Sequence, residues 1–109
     1  MKVLYVKPGE EPESIEMGGS LKELQEAVGG YIEAIYPFED DVCIICNEEG
    51  KLMGLPPNRV LSDGDGHAYD VLCGPFIVAG LTLDNFGSLT DKQMKTYMEL
   101  FREPVPAVW

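Results

Sequence analysis

The sequence predicts a single α+β domain, a mainly antiparallel sheet with two helices packed on one side of it. Three observations carry this. Short, β-rich apolar runs broken by Gly and Pro recur at 2–6, 31–36, 42–46, 67–73 and 76–79, as in strands joined by tight connections. Only two segments combine helical periodicity with a capping residue in front of them. The chain has 109 residues, 45% apolar and 25% charged, enough for one hydrophobic core without a disulfide or metal. The domain is expected over 1–103, with 104–109 as a C-terminal tail.

The elements follow in order. Residues 2–6, KVLYV, read as a strand buried on both faces. Lys7, Pro8 and Gly9 supply a turn, and 14–17 alternates with Ile15 and Met17 on one face. Ser20 followed by Glu23 is a capping box for a first helix lined by Leu21, Leu24 and Val28, and Gly29 and Gly30 close it. Residues 31–36 resume the β pattern up to Pro37, and 42–46 follow as a central strand. Asn47, Glu48, Glu49 and Gly50 read as a hairpin turn into 51–53, after which Gly54, Pro56 and Pro57 take the chain out of the sheet. Residues 60–61 and 67–73 flank a tight DGDG turn, and Gly74 and Pro75 break the second strand before 76–79. A second helix begins at Thr90, with Gln93 completing its capping box. Met94, Tyr97, Met98 and Phe101 form its core-facing stripe, and Pro104 and Pro106 stop it.

The net charge of −11 and pI of about 4.3 argue against direct binding to nucleic acid, which needs clustered Lys and Arg. The acids concentrate in residues 31–70, where nine face only Lys51 and Arg59, a net of −7. Such a segment serves either as solvated turns or as an acidic face for a basic partner.

Three cysteines make a closed disulfide framework implausible and point to a reducing cytoplasm. Cys43 and Cys46 have CxxC spacing, but in a strand they project to opposite faces and cannot grip one ion. There is no apolar leader at the N-terminus and no run of eighteen apolar residues, so neither export nor a membrane span is expected.

No catalytic constellation emerges. His67, the sole histidine, has Asp65 and Asp70 nearby but no nucleophile or second proton carrier. The DGDG turn lacks the spacing and closing Glu of a calcium loop. The glycine pairs match neither a dinucleotide fingerprint nor a P-loop. No cofactor and no metal are expected.

The most informative stretch is 46–59, CNEEGKLMGLPPNR, which reads as a shaped loop on a rigid sheet. Its polar residues Asn47, Glu48, Glu49, Lys51, Asn58 and Arg59 form the candidate binding surface. Arg59 is expected to emerge beside Asn47, Glu48 and Glu49 and to hold a carboxylate or loop carbonyl, with a modest effect on stability.

Several strings in combination resemble the family called domain of unknown function 3846. They are VGGYIEAIYPF (28–38), ICNEEGKLMGLPPNR (45–59), YDVLCGPFIVAGL (69–81) and SLTDKQMKTYMELF (88–101), with the opening KVLYVKPGEEPESIEM. The resemblance covers nearly the whole chain. It implies a protein of phage or mobile-element type and carries over no activity, cofactor or catalytic residue.

The expected function is therefore non-catalytic, cytoplasmic protein binding or regulation, with a protein partner not identified by the sequence, no nucleic acid and no membrane. The alternative is an acidic DNA mimic occupying a nucleic-acid-binding host enzyme, although the acids sit in turns rather than at phosphate-like intervals. An enzyme of unrecognised type ranks third.

Overall fold

A computed structural model describes residues 1–105 of the chain. Its elements run β1 (Lys2–Val6), β2 (Glu13–Glu16), α1 (Leu21–Val28), β3 (Ile32–Ile35), β4 (Val42–Asn47), β5 (Pro57–Ser62), β6 (Ala68–Cys73), β7 (Phe76–Leu81), β8 (Phe86–Gly87) and α2 (Asp91–Leu100). The main sheet has the order β2-β1-β7-β4-β3, with β8 added along the end of β7, and β5 and β6 form a separate two-stranded sheet. Every pairing is antiparallel. The α+β class is thus borne out.

The expected placement of both helices on one side is not. Register puts Leu4, Ile44 and Val78 on one face and Tyr5, Ile45 and Ile77 on the other. On the first face Leu4, Val6, Val42, Ile44, Phe76 and Val78 pack against Tyr97 and Phe101 of α2 and against Leu61 and Leu72 of the small sheet. On the second, Val3, Cys43, Ile45, Ile77 and Ala79 pack against Leu24 of α1. The molecule has three layers: α1, the main sheet, then α2 beside the β5–β6 hairpin. The cause is compositional, because β1, β4 and β7 carry apolar side chains on both faces and each face needs a cover.

Both helix starts form as their residues dictate. The Ser20 hydroxyl accepts from the Glu23 N–H at 3.2 Å, while the Glu23 carboxylate accepts from the Gly18 N–H at 2.9 Å, two residues earlier than a strict capping box requires. Thr90 and Gln93 make the full reciprocal box, at 3.1 and 2.9 Å. The stripe on α2 faces the sheet as expected: Tyr97 and Phe101 are buried and Met94 and Met98 half-buried against them. The Tyr97 hydroxyl donates to Asp40 at 2.9 Å, tying α2 to the connection before β4. Burial, then the Asp40 carboxylate, pushes the phenol pKa up to about 12.

Two connections differ from expectation. Residues 51–53 do not form a strand, and the 47–50 segment is not a hairpin turn; instead Met53 N–H donates to Glu49 O at 2.8 Å and Leu55 N–H to Gly50 O at 3.0 Å, a helical turn. The prolines do not keep the chain out of a ladder either. Pro57 opens β5, where a missing N–H at a strand start is tolerated. Of the expected tail, Pro104 and Val105 are half-buried and the Val105 N–H donates to Asn58 O at 3.3 Å, whereas 106–109 lie outside the described residues.

The cysteines behave as the strand alternation predicts. Cys46 belongs to the face of Ile44 and Cys43 to that of Ile45, and burial pushes each thiol up to about 11. A thiolate-selective disulfide reagent is therefore expected to titrate half-buried Cys73 in the native protein, while Cys43 and Cys46 react only on unfolding. Metal analysis should find no zinc that is lost on Cys43→Ser. Rapid native reaction of all three thiols, or such a zinc, would contradict the opposed faces.

Candidate functional site

A cleft of about 380 Å³ opens between the β3 end of the main sheet and β6 of the small sheet. Glu33 and Ile35 of β3 and Cys46 of β4 form one wall, residues 70–73 of β6 the other, and the turn after β4 closes one end.

The turn is built on Asn47. Its side chain is inside the protein, Nδ2 donating to Val28 O at 3.1 Å and Oδ1 accepting from the Glu49 N–H at 2.8 Å. This anchors the end of β4 to the end of α1 and starts the turn, the dual role a short amide suits. Gly50 follows where a Cβ would lie 2.5 Å from the Cys73 carbonyl oxygen, so only glycine lets the turn lie against β6. These constraints push Glu48, Lys51, Leu52 and Met53 outward. Lys51 Nζ then bridges to Asp70 of β6, which raises the lysine pKa and lowers that of the carboxylate, in each case chiefly through the hydrogen bond between them. Among the described residues Glu33, Glu48 and Glu49 form no ion pair, leaving the cleft with an anionic excess.

The structure thus brings together Glu48, Glu49 and Lys51 of the expected surface, over Asn47, which is 6% exposed and supports them from beneath. It separates Asn58 and Arg59 from them. These two are 0% and 2% exposed and cannot belong to a surface. Asn58 Nδ2 donates to Val6 O and Gly74 O, each at 2.9 Å. Arg59 donates to Phe101 O through Nε at 2.7 Å, to Asn58 Oδ1 through Nη1 at 2.8 Å, and to Glu10 O through Nη2. It does hold loop carbonyls, but as the dock between the small sheet, the β1–β2 connection and α2. A bulge between Pro57 and Arg59 lets two consecutive residues turn inward, which simple alternation forbids.

His67 lies in the distant β5–β6 turn with Asp63 and Asp65, all exposed, their ligand atoms within 4.8 Å of one another. Asp63 Oδ1 already accepts from the Asp65 and His67 N–H groups, each at 2.9 Å, so it shapes the turn. Sequence reasoning does not place Glu33, Asp70 or Cys73 with the 47–51 turn, and reads Asp70 as a neighbour of His67, whereas it pairs with Lys51. Nothing local marks them, because β3 and β6 meet only through long-range packing.

The exposed apolar side chains complete the picture. Tyr31 and Tyr36 bracket β3 at 70% and 62% exposure, and Leu52 and Met53 crown the turn at 88% and 52%. Met53 Sδ approaches Asn47 Nδ2 at 3.6 Å, and the Glu48 N–H donates to Tyr31 O at 2.9 Å, so turn and β3 form one continuous end of the molecule. Among the described residues no helix is long and apolar enough to cross a membrane.

Comparison with known proteins gave no match among curated proteins and none among solved structures. A family match, by contrast, spans residues 1–102, from before β1 to just past α2, and takes in both walls of the cleft and the dock beneath it. The chain belongs to the family described as Domain of unknown function (DUF3846).

Proposed function

We propose that this protein is a non-catalytic binding or regulatory domain, and that it meets a protein partner through the β3 edge and the 48–53 turn. The observation that supports this most is the exposure of Tyr31, Tyr36, Leu52 and Met53 around an acidic cleft. Aromatic and large apolar groups held in water on a rigid frame, rimmed by charge, are the composition of a protein-binding surface. Three unbridged thiols, two of them buried, fit a reducing cytoplasm.

The test compares two surface variants that leave the core intact. Leu52→Ser with Met53→Ser alters the proposed surface, and Leu83→Ser alters a fully exposed leucine in the turn after β7. Affinity capture from lysate of the expressing cell, read by mass spectrometry, should recover a partner with the wild type and with Leu83→Ser, and lose it with the double variant. Equal capture by both variants would remove the surface from consideration. A captured nucleic-acid-binding enzyme displaced by duplex DNA would replace the reading with that of an acidic mimic.

A further inference from the structure

We infer that the occupant of this surface is an extended, cationic peptide segment that adds to the main sheet as a strand beside β3. This rests on the protein-binding reading above and specifies the partner's chemistry.

β3 is the last strand of the main sheet on this side, paired only with β4 among the described residues. The Glu48 N–H donates to Tyr31 O, and Tyr31 precedes the registered pairs Ile32 with Asn47 and Glu33 with Cys46. Antiparallel alternation then turns the backbone groups of Tyr31, Glu33 and Ile35 toward β4. Those of Ile32, Ala34 and Tyr36 point outward, away from the sheet. Among the described residues no intramolecular hydrogen bond reaches these outward groups. An unpaired strand edge of this kind is a template for one more strand.

Charge selects the strand. Glu33 projects from β3 into the cleft, with Glu48 and Glu49 at its end and Asp70 across it, against Lys51 alone. A peptide strand beside β3 places every second side chain over this cleft, where Lys or Arg meets Glu33 as a cross-strand neighbour. The intervening side chains lie on the α1 face beside Ile32 and Ala34, which favours β-branched or apolar residues there. A second copy of this chain is a poor occupant, because two molecules of net charge −11 would juxtapose the same acids.

The experiment selects short random peptides displayed against the immobilised full chain, then titrates the selected peptides into the ¹⁵N-labelled protein. Expected are sequences with Lys or Arg at alternate positions, binding that weakens with salt, and slowed hydrogen exchange at the Ile32, Ala34 and Tyr36 amides. N-methylating alternate peptide amides should weaken binding about tenfold in one register and little in the other, the loss of roughly one net backbone hydrogen bond. Ala34→Pro, which removes an outward donor while sparing the ladder to β4, should match the sensitive register.

Selection of acidic or neutral peptides, no selection at all, or indifference to N-methylation in both registers overturns the proposal. Peptides that shift Leu52 and Met53 but not the Ile32, Ala34 and Tyr36 amides overturn strand addition and leave the binding surface standing. Peptides that map away from both overturn the two together. Protection of the β3 amides in the protein alone, with a dimer by sedimentation, replaces the peptide with a second copy.

Discussion

Arg59→Ala is expected to destabilise the domain by about 3–5 kcal/mol in urea denaturation, because three buried or part-buried oxygens each lose their donor. The guanidinium is 2% exposed and lies within reach of three chain segments: the β1–β2 connection at Glu10, β5 at Asn58 and the end of α2 at Phe101. Burial pulls its pKa down from the ordinary arginine value, yet with four of its five N–H donors aimed at oxygens the group stays charged. Removing it leaves those carbonyls without a donor, at about 1–3 kcal/mol each before water enters the space. A loss below about 1 kcal/mol would mean that the guanidinium is a solvated surface group, the expectation drawn from sequence. Arg59→Lys should recover only part of the loss, since one ammonium cannot reproduce the planar fork.

How the sequence reads this arginine shows where local pattern ends. Its capping residues Ser20 and Thr90, the α2 stripe and the strand cores at 2–6, 42–46 and 76–79 are legible because each is decided within a few residues. The inward turn of both Asn58 and Arg59 is decided by a bulge, which breaks the period-two rule without any marker in composition. The helix placement, on opposite faces rather than on one side, is set within the sequence as well. VCIIC is apolar at every position, and a strand apolar on both faces requires cover on both. The turn after β4 went the other way: Asn47 and Gly50 are ordinary hairpin residues, but β5 pairs with β6 rather than with β4, so no returning strand meets the turn. Half of the cleft, Asn47 to Lys51, is contiguous and visible. The other half, Glu33 and Asp70, is assembled by packing alone.

Phe101→Ala is expected to cost about 3–5 kcal/mol, as for other aromatics removed from cores. The side chain is 3% exposed at the end of α2, edge-on to Phe76 at 5.3 Å and to Phe38 at 6.2 Å between ring centroids. It therefore joins the last turn of α2 to β7 and to the connection before β4, and those edge-to-face contacts add to the area it buries. Phe101→Leu should cost less than about 1.5 kcal/mol if volume is what matters, and more if ring geometry does. A loss below about 1 kcal/mol for the alanine variant would mean that this stripe faces a partner rather than the sheet. The backbone carbonyl of the same residue accepts the Arg59 Nε, so the two sites are coupled. With Arg59 already alanine the end of α2 is held by apolar contact alone, and with Phe101 already alanine the carbonyl is less firmly placed. The double variant should accordingly lose less than the sum of the singles, by roughly 0.5–3 kcal/mol, the usual coupling between residues in contact. Strict additivity would show that the arginine docks the small sheet without steadying α2, and would confine its role to the β1–β2 connection and Asn58.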